Sequence, residues 1–161
     1  MQRKLTDEVI ADLYPRYVDA WSALLVEAAA RHVLNAEEFR QEMIDERLEK
    51  YTVVEEDGRV IAMTTLTSDL GAIPWINPTL YRSRFPDEAR LGTVFYLGYT
   101  FVDVEHRRSP ALALMSGAVN ARLLEARGVI GFDMCGYNVR HGIGRHLERL
   151  FSSSTKIDLP K

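Results

Sequence analysis

Residues 94 to 128 constrain the fold more than any other stretch. Val94, Phe95, Tyr96, Leu97, Tyr99, Phe101, Val102 and Val104 make a nearly unbroken apolar run. A strand without polar alternation needs cover on both faces, so it belongs in the middle of a sheet, and Gly98 within it marks a candidate bulge. The run ends at Arg107 and Arg108. A helix then opens abruptly, with Ser109 as its N-cap and Pro110 at its first position. Leu112, Met115, Val119, Leu123 and Leu124 turn that helix inward, and Gly128 terminates it. A central strand leading through a basic turn into the free N–H groups of a helix is a physical recipe for holding phosphate. A phosphate-bearing cofactor is therefore the first expectation.

The flanking sequence supplies the rest of an α/β (α+β) domain. Val9, Ile10, Leu13, Tyr14, Tyr17, Val18, Trp21, Leu24, Leu25 and Ala28 recur at helical spacing, with Pro15 expected to kink or split the helix. Asn35, followed three residues later by Glu38, opens a second helix through Phe39, Met43 and Leu48. Tyr51 to Val54 and Val60 to Leu66 flank Asp57-Gly58, a hairpin turn signal. Residues 68 to 92 are irregular, and Trp75, Tyr81 and Phe85 within them suit a cover over a cleft or anchors to the core. Val129 to Met134 reads as a further strand, Arg145 to Phe151 as a last helix, and Lys156 to Leu159 as a short final strand. Tyr96 and Tyr99, three apart, fall on opposite faces by strand parity.

At 161 residues one domain, 1 to 161, is expected. Twenty basic against 23 acidic side chains give a net charge of -3, which offers no global attraction to nucleic acid or an anionic membrane. With the single cysteine, Cys135, no internal disulfide can form, and no Cys/His spacing suits zinc. No apolar run approaches the length of a spanning helix and the N-terminus has no signal-like core, so a cytoplasmic protein is expected.

The order of elements resembles the GNAT superfamily of N-acyltransferases, whose mixed, mostly antiparallel central sheet is flanked by helices. Residues 50 to 151 carry the resemblance, above all Val102-Asp103-Val104-Glu105-His106-Arg107-Arg108-Ser109-Pro110-Ala111-Leu112. These lie in register with the family's strand end and its pyrophosphate loop, Arg/Gln-x-x-Gly-x-Gly/Ala. With Arg107 first, Pro110 and Leu112 occupy the glycine places; with Arg108 first, Ala111 and Ala113 do. Asn138 matches the family's asparagine after the following strand. The resemblance implies that acetyl-CoA or another acyl-CoA is held by Val102, Val104, Arg107, Arg108, Ser109, Ala111, Leu112, Ala113 and Asn138. Downstream, Gly142-Ile143-Gly144 looks superficially like a phosphate loop, but only 17 residues follow it.

The implied chemistry is direct attack of an amine on the thioester. It needs a route for the amine proton, an N–H aimed at the thioester oxygen and an acid for the leaving thiolate. The family's usual tyrosine in the last helix is missing here. Tyr137 is the first substitute and His141 the second, while Glu105, Asp103 or water are the choices for a base. No metal is suggested. A small-molecule amine is the expected acceptor, and a partner subunit in a homodimer is one way to complete a sheet short of a strand.

Two alternatives stand beside this expectation. One is a long-chain enzyme similar to acyl-homoserine-lactone and N-acyl amino acid synthases, taking its acyl group from acyl carrier protein through Arg107, Arg108, Arg140 and Arg145. The other is a CoA-binding or regulatory module without catalysis.

Overall fold

The computed structural model of the protein describes residues 1–22, 33–134, 139, 140, 142, 144, 145 and 147. Helix α1, Asp7–Trp21, starts where the Thr6 hydroxyl accepts from the Val9 N–H, and it buries Ile10, Leu13 and Tyr17. Pro15 lies inside it without breaking it. Proline removes a single intrahelical bond, and here buried residues on both sides of it, Leu13 and Tyr17, pin the helix to the core. Helix α2, Ala36–Ile44, opens with a reciprocal capping box between Asn35 and Glu38. It ends earlier than the apolar spacing predicts, so Leu48 lies beyond it, in the approach to the sheet.

Strands β1, Glu49–Val54, and β2, Val60–Thr67, form the expected hairpin. Gly58 turns it at φ +89°, a backbone angle that favours glycine. The irregular stretch that follows folds into two short helices, α3, Pro78–Arg84, and α4, Pro86–Leu91. Strand β3, Val94–Val102, is central, antiparallel to β2 and parallel to β4, Val129–Gly131. The sheet order is β1-β2-β3-β4, and helix α5, Ala111–Ala126, carries the crossover between the parallel pair.

This is the mixed α+β class, with a mostly antiparallel sheet flanked by helices. One face of the sheet packs Phe95, Leu97, Ala62 and Leu66 against Met115, Val119 and Leu123 of α5. The other packs Met63, Tyr99 and Phe101 against Tyr17 of α1 and Phe39 and Met43 of α2. Tyr17 sits 4.8 Å from Phe39 and 5.3 Å from Tyr99, ring to ring. No helix among the described residues is long and apolar enough to cross a membrane.

Four details differ from the reading of the sequence. Helix α5 starts at Ala111 with Pro110 as the N-cap; Ser109 lies one residue earlier, and its hydroxyl still accepts from the Ala111 N–H at 3.2 Å. Leu124 is 53% exposed rather than turned inward. The left-handed residue that ends α5 is Arg127, at φ 49°. Gly128 serves close approach instead, since a Cβ there would lie 2.6 Å from the Thr93 carbonyl oxygen and 2.7 Å from the Phe95 ring. Lastly, β4 stops at Gly131, three residues before the expected Met134.

The bulge at Gly98 corrects a fifth expectation. Thr64 pairs with Thr100 but Leu66 with Leu97, so Gly98 and Tyr99 together oppose Thr65. A Cβ at Gly98 would lie 2.0 Å from the Thr65 hydroxyl oxygen, which explains why the extra residue is glycine. The inserted residue restores phase. Tyr96 and Tyr99 therefore share the face away from α5.

Candidate functional site

The short β4 creates the main irregularity of the sheet. Val94, Phe95 and Tyr96 pair with Val129, Ile130 and Gly131, and among the described residues nothing pairs with β3 on that side beyond Tyr96. Leu97 to Val102 thus present a free strand edge about 20 Å long at ordinary strand rise. The sheet forks here. An extended ligand can be held at such an edge by strand-like hydrogen bonds.

At the far end of that edge the chain makes its basic turn. A short 3₁₀ turn, Val104–His106, follows Asp103, and Ser109 N–H bonds back to the His106 carbonyl. Because Ser109 caps Ala111 and Leu114 N–H bonds the Pro110 carbonyl, the first turn of α5 leaves the N–H groups of Leu112 and Ala113 without an intrahelical acceptor. Ala111 is buried and Leu112 packs inward, so neither side chain of this pair stands out over the turn. Ala113 and Val104 are exposed. Arg108 is exposed and makes no hydrogen bond or ion pair among the described residues, whereas Arg107 reaches the Ala20 carbonyl oxygen at 3.4 Å, on the last turn of α1. Val102 to Ala113 therefore form one continuous ledge. Tyr137, Asn138, His141 and Cys135 lie outside the described residues.

Asp103 belongs to the scaffold. It is 5% exposed, accepts from Arg16 Nη1 at 3.0 Å and Arg59 Nη2 at 3.1 Å, and caps the turn through the Glu105 N–H. Burial by itself would raise its carboxyl, but these donors and the two guanidinium charges hold it below the ordinary carboxylate value. A carboxylate so held is a poor proton acceptor, which removes it from the choices for a base.

At the crotch of the fork lies a set of groups that the sequence reading did not join. Tyr96 is fully buried and donates its hydroxyl to Asp133 Oδ2 at 2.6 Å. Trp75 Nε1 donates to the same phenol oxygen at 3.1 Å. Tyr81 packs edge-on to Tyr96 at 6.0 Å, and its ring occupies the space that a Cβ on Gly131 would take. Burial, and then the charge of Asp133, raise the pKa of Tyr81. The one local signal for this cluster was Asp133 itself, a lone carboxylate beside the apolar run Val129 to Phe132. Its partners come from 37 and 58 residues away, and no spacing rule connects them.

Two shallow grooves lie elsewhere. One of ≈ 400 Å³ runs between β1 and α5, lined by Val53, Val54, Leu114 and Ala118, and one of ≈ 330 Å³ lies beside the start of α1. Neither gathers convergent polar groups, so the fork remains the candidate site. Among the described residues no cluster of His, Cys, Asp and Glu suits a metal ion.

No family model matches the chain, and no curated protein matches it. Among solved structures it is similar to the BH1408 protein of Bacillus halodurans. That protein was solved as a tetramutant and as a single-residue mutant, each at TM-score 0.50 and 14% identity over 96% of this chain and 90% of that one. At this identity the likeness concerns the fold alone.

Proposed function

We propose that the protein is an N-acyltransferase that moves an acyl group, acetyl in the simplest case, from acyl-CoA to an amine. The observation that carries this reading is the fork: the free edge of β3 ends at the unbonded N–H groups of Leu112 and Ala113, with Arg108 alongside. These groups suit the two ends of one ligand. The helix N–H groups and Arg108 favour a pyrophosphate, and the strand edge favours an extended pantetheine arm with amides of its own. Acyl-CoA supplies an activated thioester; the amine nitrogen bonds to its carbonyl carbon as the carbon–sulfur bond breaks, and the thiol leaves. An N–H at the bulge, where the ladder with β2 is interrupted, is suited to receive the charge that develops on the carbonyl oxygen.

Thermal unfolding with acetyl-CoA, a long-chain acyl-CoA and free pantetheine tests the reading. A ligand at 100 times its Kd adds about 2.7 kcal/mol to stability. We expect acyl-CoA to stabilise the protein and Arg108→Ala to lose most of the effect, with Arg107→Ala adding little because that side chain is engaged by α1. Free pantetheine stabilising as well as acyl-CoA would move the donor to an acyl carrier protein. No shift with any donor overturns the CoA-dependent reading.

A further inference from the structure

The chain from Trp75 through Tyr96 to Asp133 has a direction. Indole N–H is a donor only, so the phenol oxygen of Tyr96 accepts from Trp75 and its single proton points to Asp133 Oδ2. This fixes the Asp133 carboxylate while leaving its Oδ1, and further lone pairs, for another donor. Asp133 is exposed, and among the described residues no cation pairs with it. Its orientation follows from the backbone. Gly131 lies opposite Tyr96 in the parallel register, and Asp133, two residues on, returns to the same side, where Tyr81 and the 38% exposed Trp75 also lie. A carboxylate oriented by a buried phenol and bordered by aromatic rings is complementary to an ammonium group attached to an apolar or aromatic body.

We infer that this pair is the acceptor-amine subsite. Asp133 binds the ammonium of a primary arylalkyl or alkyl amine, Tyr96 and Trp75 position the carboxylate, and Tyr81 with the exposed part of Trp75 receives the apolar body. The inference rests on the acyltransferase reading for its place in a reaction. It nevertheless makes a claim about binding that stands without turnover. The fork then has two occupants, a donor along β3 and an amine at the crotch, which meet where β4 leaves the sheet.

Calorimetric titration of the full chain with phenethylamine, with its neutral counterpart 2-phenylethanol as control, decides it. We expect the amine to bind the wild type more tightly than the alcohol, and Asp133→Asn to weaken the amine about tenfold while leaving the alcohol unchanged. Asn keeps the shape and still accepts from Tyr96, so loss of folding is not the expected cause. Tyr96→Phe should weaken the amine less, and where turnover is measured should raise its KM without changing that of acyl-CoA. Equal affinity of the amine for wild type and Asp133→Asn, or no amine binding by the wild type, overturns the inference. A parallel acyl-CoA titration separates the two readings. Amine binding without CoA binding retains this subsite and removes the acyltransferase, and the reverse does the opposite.

Discussion

The two sides of β3 are built on different terms. Toward β2 it is zipped over most of its length, and the loops at that end are tied down by ions: Asp103 clamps Arg16 of α1 to Arg59 of the hairpin. Toward β4 it is paired over three residues and then left open, and the carboxylate at that opening, Asp133, is exposed and held by neutral donors. Both carboxylates accept hydrogen bonds from side chains. Only the one without a cation keeps charge to offer a ligand. The contrast separates a group that maintains the fold from one that is available for work, even though both are aspartates at strand ends.

That contrast can be broken most directly at Asp103. Replacing it with alanine strands Arg16 and Arg59, and should cost about 3 kcal/mol, or a fall of about 10 °C in melting temperature. Calorimetry on Asp103→Ala and Asp133→Asn side by side is the check, and similar losses for both would abolish the distinction.

Next in size is a pH effect on the zipped side. Lys50 is buried on β1, donates to the carbonyls of Arg3 and Asp45, and is pushed down by burial to about 8. Its folded value lies below its unfolded one, so between pH 8 and 10 the unfolded chain holds more protons, and stability should rise with pH by an amount of order 2 kcal/mol. Above that window Tyr51, raised by burial and by Glu49, works in the opposite direction, since its folded form keeps a proton that the unfolded form loses. Urea midpoints across the window should slope upward for the wild type, and the slope should be lost in Lys50→Met.

A smaller effect is expected at the bulge. Gly98→Ala brings a methyl onto the Thr65 hydroxyl, which has no hydrogen-bond partner to lose by turning away, so about 1 kcal/mol is expected. Thr65→Ala in the same chain should recover most of it, and no recovery would place the strain elsewhere. The smallest effect is Asp133→Asn itself, within about 0.5 kcal/mol of wild type, as for other exposed substitutions.

Local chemistry made much of the scaffold legible in the sequence. The Asn35 and Glu38 capping box, the Asp57-Gly58 hairpin and the unalternating β3 each announce themselves within a few residues. Where the sequence misled, long-range packing had decided. Gly128 reads as a helix terminator, yet what requires glycine there is the Thr93 carbonyl of another strand. Val129 to Met134 reads as one strand, yet pairing stops at Gly131 because β3 and β4 diverge. The ledge from Val102 to Ala113 was visible because it is contiguous. The Trp75, Tyr96 and Asp133 chain was not, because it exists only once α3, β3 and β4 are assembled.

The extra residue at Gly98 works as a reading frame does. Upstream of it the aromatic Tyr96, and downstream of it Tyr99 and Phe101, are delivered to the same side only because one position is counted twice against Thr65. Removing Gly98 alone would alter no functional group. It would transpose inside and outside for everything from Tyr99 to Val102, sending two aromatic rings toward α5 and leaving α1 and α2 facing the threonine and valine that now lie beneath α5. A deletion of one small residue would in this way rewrite the second half of the strand as thoroughly as replacing all four of its side chains.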